Sequence, residues 1–183
     1  ESQVVGAQLG AVAMSSALKA ALIGLVLIII FMIAYYWMLG AAAAIALVIY
    51  STLTIAVVYW FDITLTLPGI AGIILGIGMA VDANVIVFSR IREEIAGGMD
   101  VSTAIKTGFK KAMSAILDGN ITTFIAALVL MGLGSGTVKG FAYTLMIGII
   151  VSMFTAMVVT RWVLYALYAL GFKNEKFYGR AKE

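Results

Sequence analysis

Asp82 is the residue of this chain whose type and position point most strongly to chemistry. It lies in an almost unbroken apolar stretch, PGIAGIILGIGMAVDANVIVF (68–88), in which only Asn84 is also strongly polar. If this stretch is helical, Asp82 lies roughly 21 Å from Pro68 and about 12 Å from Arg90, because a helix rises ~1.5 Å per residue. These distances place the carboxylate near the middle of a hydrocarbon layer ~30 Å thick. An ionisable group there costs roughly 2.5–3.5 kcal/mol, so Asp82 is a candidate for proton transfer.

A structural role for Asp82 is the alternative, with the carboxyl group kept neutral and hydrogen-bonded to Asn84 or a nearby threonine. Burial and neighbouring charge set the proton affinity of a carboxyl group, so a helix bundle can hold one ready to titrate. Gly78, one helical turn earlier, leaves room for water or a partner side chain. Since no basic residue of the chain is expected at this depth, the predicted counter-charge belongs to another polypeptide.

Three further polar residues lie where a later apolar stretch begins. Asp118 and Asn120 stand at its start, and a water-exposed N-cap is the expected role of Asp118. Thr123 is a candidate for lining a hydrated path. Threonines in membrane helices more often bond to backbone carbonyl groups, and this remains the alternative for Thr123.

Other kinds of functional site find no support in the sequence. Cys and His are absent, which removes disulfides, thiol chemistry and the commonest metal ligand. The segment GLGSGTVKG (132–140) lacks the G-K-[ST] ending of a phosphate-binding loop. We therefore expect no enzyme activity, no metal and no cofactor, with protons as the coupling ion. Lys106, Lys110 and Lys111 indicate anionic lipid headgroups rather than nucleic acid.

Apolar stretches of membrane-spanning length make up most of the chain. The composition is 63% hydrophobic and 11% charged, which excludes an ordinary soluble domain. No segment alternates polar and apolar residues as a barrel strand does. We predict an all-α, polytopic membrane bundle of five transmembrane helices, at about 17–37, 40–61, 68–88, 116–133 and 138–165.

The predicted transmembrane domain, residues 17–170, is flanked by two short segments. Residues 1–16 are interpreted as an external lead-in and residues 171–183 as a cytoplasmic tail. Within the domain, apolar residues recur at three- and four-residue spacing at about 100–115. This spacing predicts an amphipathic helix lying on the cytoplasmic membrane surface.

The distribution of basic residues predicts the orientation of the bundle. Ten of the 12 lysines and arginines lie between residues 90 and 111 or from residue 161 onward, and only Lys19 and Lys139 lie elsewhere. Because basic loops stay in the cytoplasm, the N-terminus is predicted outside and the C-terminus inside. The chain starts on the outer face without Met, so we also expect an upstream span or signal.

Small residues recur every four positions in two of the predicted spans. In the third span this ridge is Gly72, Gly76, Ala80 and Asn84. In the fifth span it is Gly140, Thr144, Gly148, Ser152, Ala156 and Thr160. Small residues let helix backbones approach closely in lipid, so both ridges are predicted to pack against other helices.

The segment GMAVDANVIVFSRIREE (78–94) closely resembles the central membrane motif of the SecD family, export subunits that act with SecF beside the Sec translocon. DGNITTFIAA (118–127), GTVKGFAYTLMIGIIVSMFTAMVVT (136–160) and VGAQL (5–9) resemble the same family in the same order. SecF proteins have Asn-Asp-Thr where this chain has Asp82-Ala83-Asn84. The resemblance therefore favours SecD over SecF.

The resemblance implies a resistance-nodulation-division fold in a prokaryotic cytoplasmic membrane, with SecD-like and SecF-like six-helix units about a pseudo-twofold axis. It implies that Asp82 takes part in proton transfer and that the proton-motive force drives external domains that pull exported polypeptide outward. The implied partners are a SecF-like subunit or fused second half, the Sec channel, membrane lipid and exported polypeptide.

The family pattern has one helix before a large external domain and five helices after it, and this chain matches the five. Capture of polypeptide is therefore expected of the external domain rather than of these helices. Two alternatives remain: a proton-driven exporter of small molecules or lipids from the same superfamily, and a structural assembly subunit without proton coupling.

Overall fold

The regular secondary structure of the part that the structure describes is entirely helical, with short turns between the helices. This computed structural model describes residues 2–172, 174, 177 and 178, and the side chains among these from residue 10 onward. No strand occurs in these residues, so the predicted all-α fold is confirmed. The helices are α1 (Ser2–Tyr36), α2 (Met38–Trp60), α3 (Leu67–Ala96), α4 (Val101–Leu133), α5 (Thr137–Phe154) and α6 (Thr160–Ala169). A π-helical turn, Thr155–Val159, joins α5 to α6.

Five helical segments of the described residues are long and apolar enough to cross a membrane. They are Gly10–Tyr36, Met38–Trp60, Leu67–Ala96, Val101–Leu133 and Thr137–Ala169. α1, α3 and the α5–α6 segment end on the side of the bundle where α2 and α4 begin. We call this side the basic end, because it carries Arg90, Arg92, Lys106, Lys110, Lys111 and Arg161.

The turns between helices are short, and specific residues at the helix ends stabilise them. Trp37 alone separates α1 from α2, in a left-handed conformation with φ 53°. At the opposite end, Thr66 caps α3 by accepting a 3.1 Å hydrogen bond from the Gly69 N–H. Pro68 follows in the first turn, where its missing N–H needs no partner. Asp100 caps α4, and its hydrogen bonds with Thr103 hold the pKa of that carboxyl below its usual value.

α3 contacts α1, α2, α4 and α5, and its most extensive interface is with α5. The two small-residue ridges meet in this interface. A methyl group added at Gly76 would lie 3.5 Å from the Cα of Gly148, and one at Gly72 would overlap the Thr144 hydroxyl. The absence of side chains at these glycines therefore allows the two backbones to approach this closely.

The segment predicted as a surface amphipathic helix differs in the structure. α4 runs without interruption from Val101 to Leu133, so the expected helix at 100–115 and the span at 116–133 are one element. Its apolar stripe is buried against α3 and α6 rather than lying on lipid. At Gly108 the contact is so close that a Cβ would lie 2.9 Å from the Ile91 backbone nitrogen. The apolar spacing reflects packing between helices, which gives the same sequence pattern as contact with a membrane surface.

Two polar contacts hold α3 at the basic end. Glu94 has a side chain only 9% exposed and accepts a 2.5 Å hydrogen bond from the Lys111 ammonium group of α4. Arg92 donates a 2.9 Å hydrogen bond to the backbone carbonyl of Tyr35 and lies over the Tyr36 ring at 4.5 Å. A buried carboxylate needs such a partner, because an unpaired charge away from water is costly.

The first flanking segment is helical, and the described residues of the second are exposed except for Tyr178. The predicted external lead-in belongs to α1, which begins at Ser2. Much of the predicted tail at 171–183 lies outside the described residues. Tyr178, however, is fully buried in the core at the basic end. Burial, followed by the neighbouring Tyr168, raises the pKa of Tyr178 to about 12.

Candidate functional site

Asp82 lies halfway along α3, and its side chain faces out of the bundle. Asp82 is exposed on the surface of this chain, as a carboxylate whose predicted counter-charge lies on another polypeptide can be. It lines a groove of about 140 Å³ between α3 and α4. Asp82 has no hydrogen-bond or ion-pair partner among the described residues. Its carboxylate is therefore available to a proton or to a group outside this chain.

The groove brings Asp82 together with two polar residues of α4, Asn120 and Thr123. The Asn120 amide group donates a 2.7 Å hydrogen bond to the Ile116 carbonyl, and the Thr123 hydroxyl donates one of 3.2 Å to the Gly119 carbonyl. Both side chains keep an oxygen that can accept a further hydrogen bond. The protonated form of Asp82, which is a donor, thus has acceptors within its own groove.

Asp118 does not belong to this groove. The expected N-cap role does not fit the structure, because α4 continues through this position and has no helix start there. Its carboxylate instead accepts a 3.4 Å hydrogen bond from Ser114 on the exposed side of the helix. Asp118 is therefore a surface residue of α4, although it stands only two positions before Asn120.

Gly78 and Asn84, the two predicted neighbours of Asp82, lie on different faces of α3. Gly78 is exposed one turn before Asp82, and a Cβ there would have no described atom within 4 Å. Asn84 points into the bundle, since two residues turn a helix by about 200°. Its amide group donates a 3.0 Å hydrogen bond to the Ala80 carbonyl. The alternative of a hydrogen bond between Asp82 and Asn84 is thus absent.

Asn84 instead connects α3 to the last membrane segment, next to its π-helical turn. Its side-chain carbonyl accepts a 2.7 Å hydrogen bond from the Thr160 hydroxyl, directly after the π-helical turn. The same hydroxyl lies 3.2 Å from the Thr155 carbonyl. π-Helical turns occur frequently at functional sites. This turn was not predicted from the sequence, because residues 155–159 contain no glycine or proline that would indicate an irregular helix.

We expect Thr160→Val to lower the free energy of unfolding by about 1–3 kcal/mol, because it leaves the buried Asn84 carbonyl without a donor. Thr122→Val is the matched control, since the exposed Thr122 hydroxyl bonds only to the Asp118 carbonyl of its own helix. The measurement is the thermal stability of both variants in detergent. Equal losses in the two variants would contradict a structural role for the contact between Asn84 and Thr160.

Comparison with known proteins identifies the family. A family model described as "Protein export membrane protein SecD/SecF, C-terminal" matches residues 1–169. The chain belongs to the SecD/SecF family. This match and relatives that are named SecD confirm the sequence resemblance to SecD, and the chain is a multi-pass membrane protein.

Relatives in the SecD/SecF family include whole SecD proteins. The chain is 49% identical to the protein translocase subunit SecD of Acidaminococcus fermentans, over 98% of this chain and 43% of that protein. It is 50% identical to the SecD of Synechocystis, over 91% of this chain and 35% of that protein. The chain thus spans less than half the length of these SecD relatives.

Solved structures in the SecD/SecF family share the fold. A crystal structure of SecDF from Thermus thermophilus, described as a translocon-associated membrane protein, superposes with a TM-score of 0.84 and 39% identity. That likeness covers 86% of this chain and 22% of the SecDF chain. A SecDF structure in a super-membrane-facing form gives a TM-score of 0.83 at 40% identity.

Proposed function

We propose that this chain is the membrane part of a Sec protein-export subunit and couples the proton-motive force to polypeptide translocation. One observation carries the proposal: Asp82 stands halfway along a membrane-spanning helix, in a groove that it shares with Asn120 and Thr123, with no partner among the described residues. Protein export is stated in the description of the matching family, and the relatives are named protein translocase subunits. Proton coupling is our inference from the position of this carboxylate.

An unpaired carboxylate at this depth requires a partner or a proton. Charged side chains within membrane helices face other helices or water-filled cavities and mark ion pathways. The exposed face of α3 at Gly78 and Asp82 therefore fits against a second, SecF-like membrane unit, either separate or fused. We place the N-terminus outside and the C-terminus in the cytoplasm, because an excess of basic residues favours the cytoplasmic side for the basic end.

The energy available from protons fits a conformational cycle. One elementary charge that crosses ~100 mV releases about 2.3 kcal/mol. A two-state bundle needs about 5.5 kcal/mol to change from a 1:99 to a 99:1 distribution. More than one proton, or a contribution from the SecF-like unit, is therefore required in each cycle.

The SecD relatives are more than twice as long as the part that this chain matches, which is enough for a further domain that contacts exported polypeptide. We assign polypeptide capture to such an external domain and force generation to the helices described here. The Sec channel is the partner that this division of work requires. The chain itself acts as a non-enzymatic transducer, with protons as the coupling ion.

Export assays with membrane vesicles test this function. Vesicles with the full-length protein are expected to translocate a preprotein faster than vesicles without it, and a protonophore should remove that difference. The measurement is the protease-protected fraction of preprotein over time. Unchanged translocation together with altered efflux of a dye or lipid would contradict the proposal and favour an exporter of the same superfamily. A protonophore-insensitive difference would favour a structural subunit.

A further inference from the structure

Arg161, at the start of α6, differs from the other two described arginines, each of which has a hydrogen-bond acceptor in the protein. Arg90 forms a 2.7 Å ion pair with Glu93, and Arg92 donates to the Tyr35 carbonyl. Arg161 is exposed and has neither a carboxylate nor a hydrogen-bond acceptor among the described residues. Within the described part of the chain, its five N–H donors are therefore unused.

Two aromatic rings hold the Arg161 guanidinium in place. It lies 5.9 Å from the ring centre of Phe109 on α4 and 5.8 Å from that of Tyr165 on α6. Such contacts attract the cation to the ring face without using its N–H groups. The charge is thus positioned at the surface of the bundle while its hydrogen-bonding capacity stays free.

A groove of about 360 Å³ adjoins this guanidinium, and its lining changes from charged to apolar along its length. It is lined by Met157, Val158, Arg161, Trp162 and Tyr165. Met157 and Val158 lie one helical turn further into the membrane segment and are apolar. Trp162 is 77% exposed, and exposed tryptophans are typical of the boundary between lipid headgroups and acyl chains. The groove therefore has a cationic end at this boundary and an apolar end below it.

We propose that this groove binds an anionic phospholipid, with its phosphate on Arg161 and an acyl chain along Met157 and Val158. A guanidinium binds a phosphate through two parallel hydrogen bonds, which a lysine cannot do. Exposed Lys106 and Lys110, on the same helix as Phe109, add positive charge at this end of the bundle. That charge favours a lipid with net negative charge over a zwitterionic one. The proposal does not depend on proton coupling.

Lipid binding to the purified full-length protein tests the site. Native mass spectrometry should show more phosphatidylglycerol than phosphatidylcholine bound at equal concentrations and with matched acyl chains. Arg161→Gln should weaken phosphatidylglycerol binding about fivefold, the equivalent of ~1 kcal/mol for one basic residue near an anionic surface. Arg161→Lys should restore part of the affinity. Arg90→Gln is the control, because Arg90 lies at the same end but is already paired with Glu93.

A second measurement needs no change at Arg161. Phospholipids brominated in the acyl chain quench nearby tryptophan fluorescence, and the difference between wild type and Trp162→Phe isolates the signal of Trp162. Brominated phosphatidylglycerol should quench this signal more strongly than brominated phosphatidylcholine at the same mole fraction. Equal quenching by the two lipids, or an Arg161→Gln variant with unchanged phosphatidylglycerol affinity, would overturn the proposal.

Discussion

Asp82→Asn is expected to reduce protein export to the level of cells that lack the protein, while the variant accumulates normally. Asparagine keeps the size and hydrogen-bonding shape of the side chain but cannot exchange a proton at neutral pH. Asp82 makes no hydrogen bond or ion pair with the described residues, so its replacement removes no contact that stabilises the fold. Loss of export would therefore report on the titratable group itself. The measurement is the fraction of unprocessed precursor in pulse-labelled cells.

Asp118→Asn is the matched control for this experiment. Asp118 is exposed on α4 and lies outside the groove that contains Asp82. The Asp118→Asn substitution removes one negative charge, as Asp82→Asn does. It should leave export unchanged, because the effect depends on the position of Asp82 rather than on the net charge of the protein. Asp82→Glu keeps a titratable group and should retain part of the activity. Normal export by Asp82→Asn at normal abundance would favour a structural assembly role over proton coupling.

Gly76→Ala should lower the free energy of unfolding by about 1–3 kcal/mol, the usual cost of overfilling a packed core. The added methyl group would overlap the hydroxyl oxygen of Tyr50, which is completely buried between α3 and α5. The melting temperature should fall by roughly 2–4 °C for each kcal/mol in a protein of this size. Gly24→Ala in α1 is the control, because a Cβ there has no described atom within 4 Å.

Tyr50→Phe should rescue the Gly76→Ala variant. It removes the overlapping oxygen, and the next ring atom, Tyr50 Cζ, would lie 3.5 Å from the new methyl group, an ordinary contact. Tyr50→Phe alone should cost little, because this hydroxyl makes no well-formed hydrogen bond with the described residues, although Thr54 lies beside it. A double variant no more stable than Gly76→Ala would show that the hydroxyl is not the source of the destabilisation.

The sequence was sufficient to predict the helical fold and the family. Long apolar stretches predict membrane helices because, in lipid, only a helix or a closed β-barrel can hydrogen-bond all of its backbone N–H and C=O groups. The four-residue ridges at Gly76 and Gly148 specify a close approach between helices, and the structure places these glycines against each other. Such patterns are local, so they are readable before any tertiary contact is known.

The orientation of individual side chains was harder to predict. The sequence shows that Asp82 and Asn84 share a helix, yet only the packing of α3 decides that Asn84 faces Thr160 and Asp82 faces outward. The continuity of α4 was also missed. Asp118-Gly119-Asn120 is typical of a helix start, but the packing of residues 101–116 against α3 carries the helix through it. Tertiary contacts outweigh local propensity at such positions.

The uninterrupted course of α4 has a consequence for where its residues lie. A helix of 33 residues is about 50 Å long, and a hydrocarbon layer is only ~30 Å thick. Even at a tilt of about 40° such a helix extends past the hydrocarbon layer. One continuous element therefore links the groove residues Asn120 and Thr123 to the basic end, where Gly108 packs against Ile91.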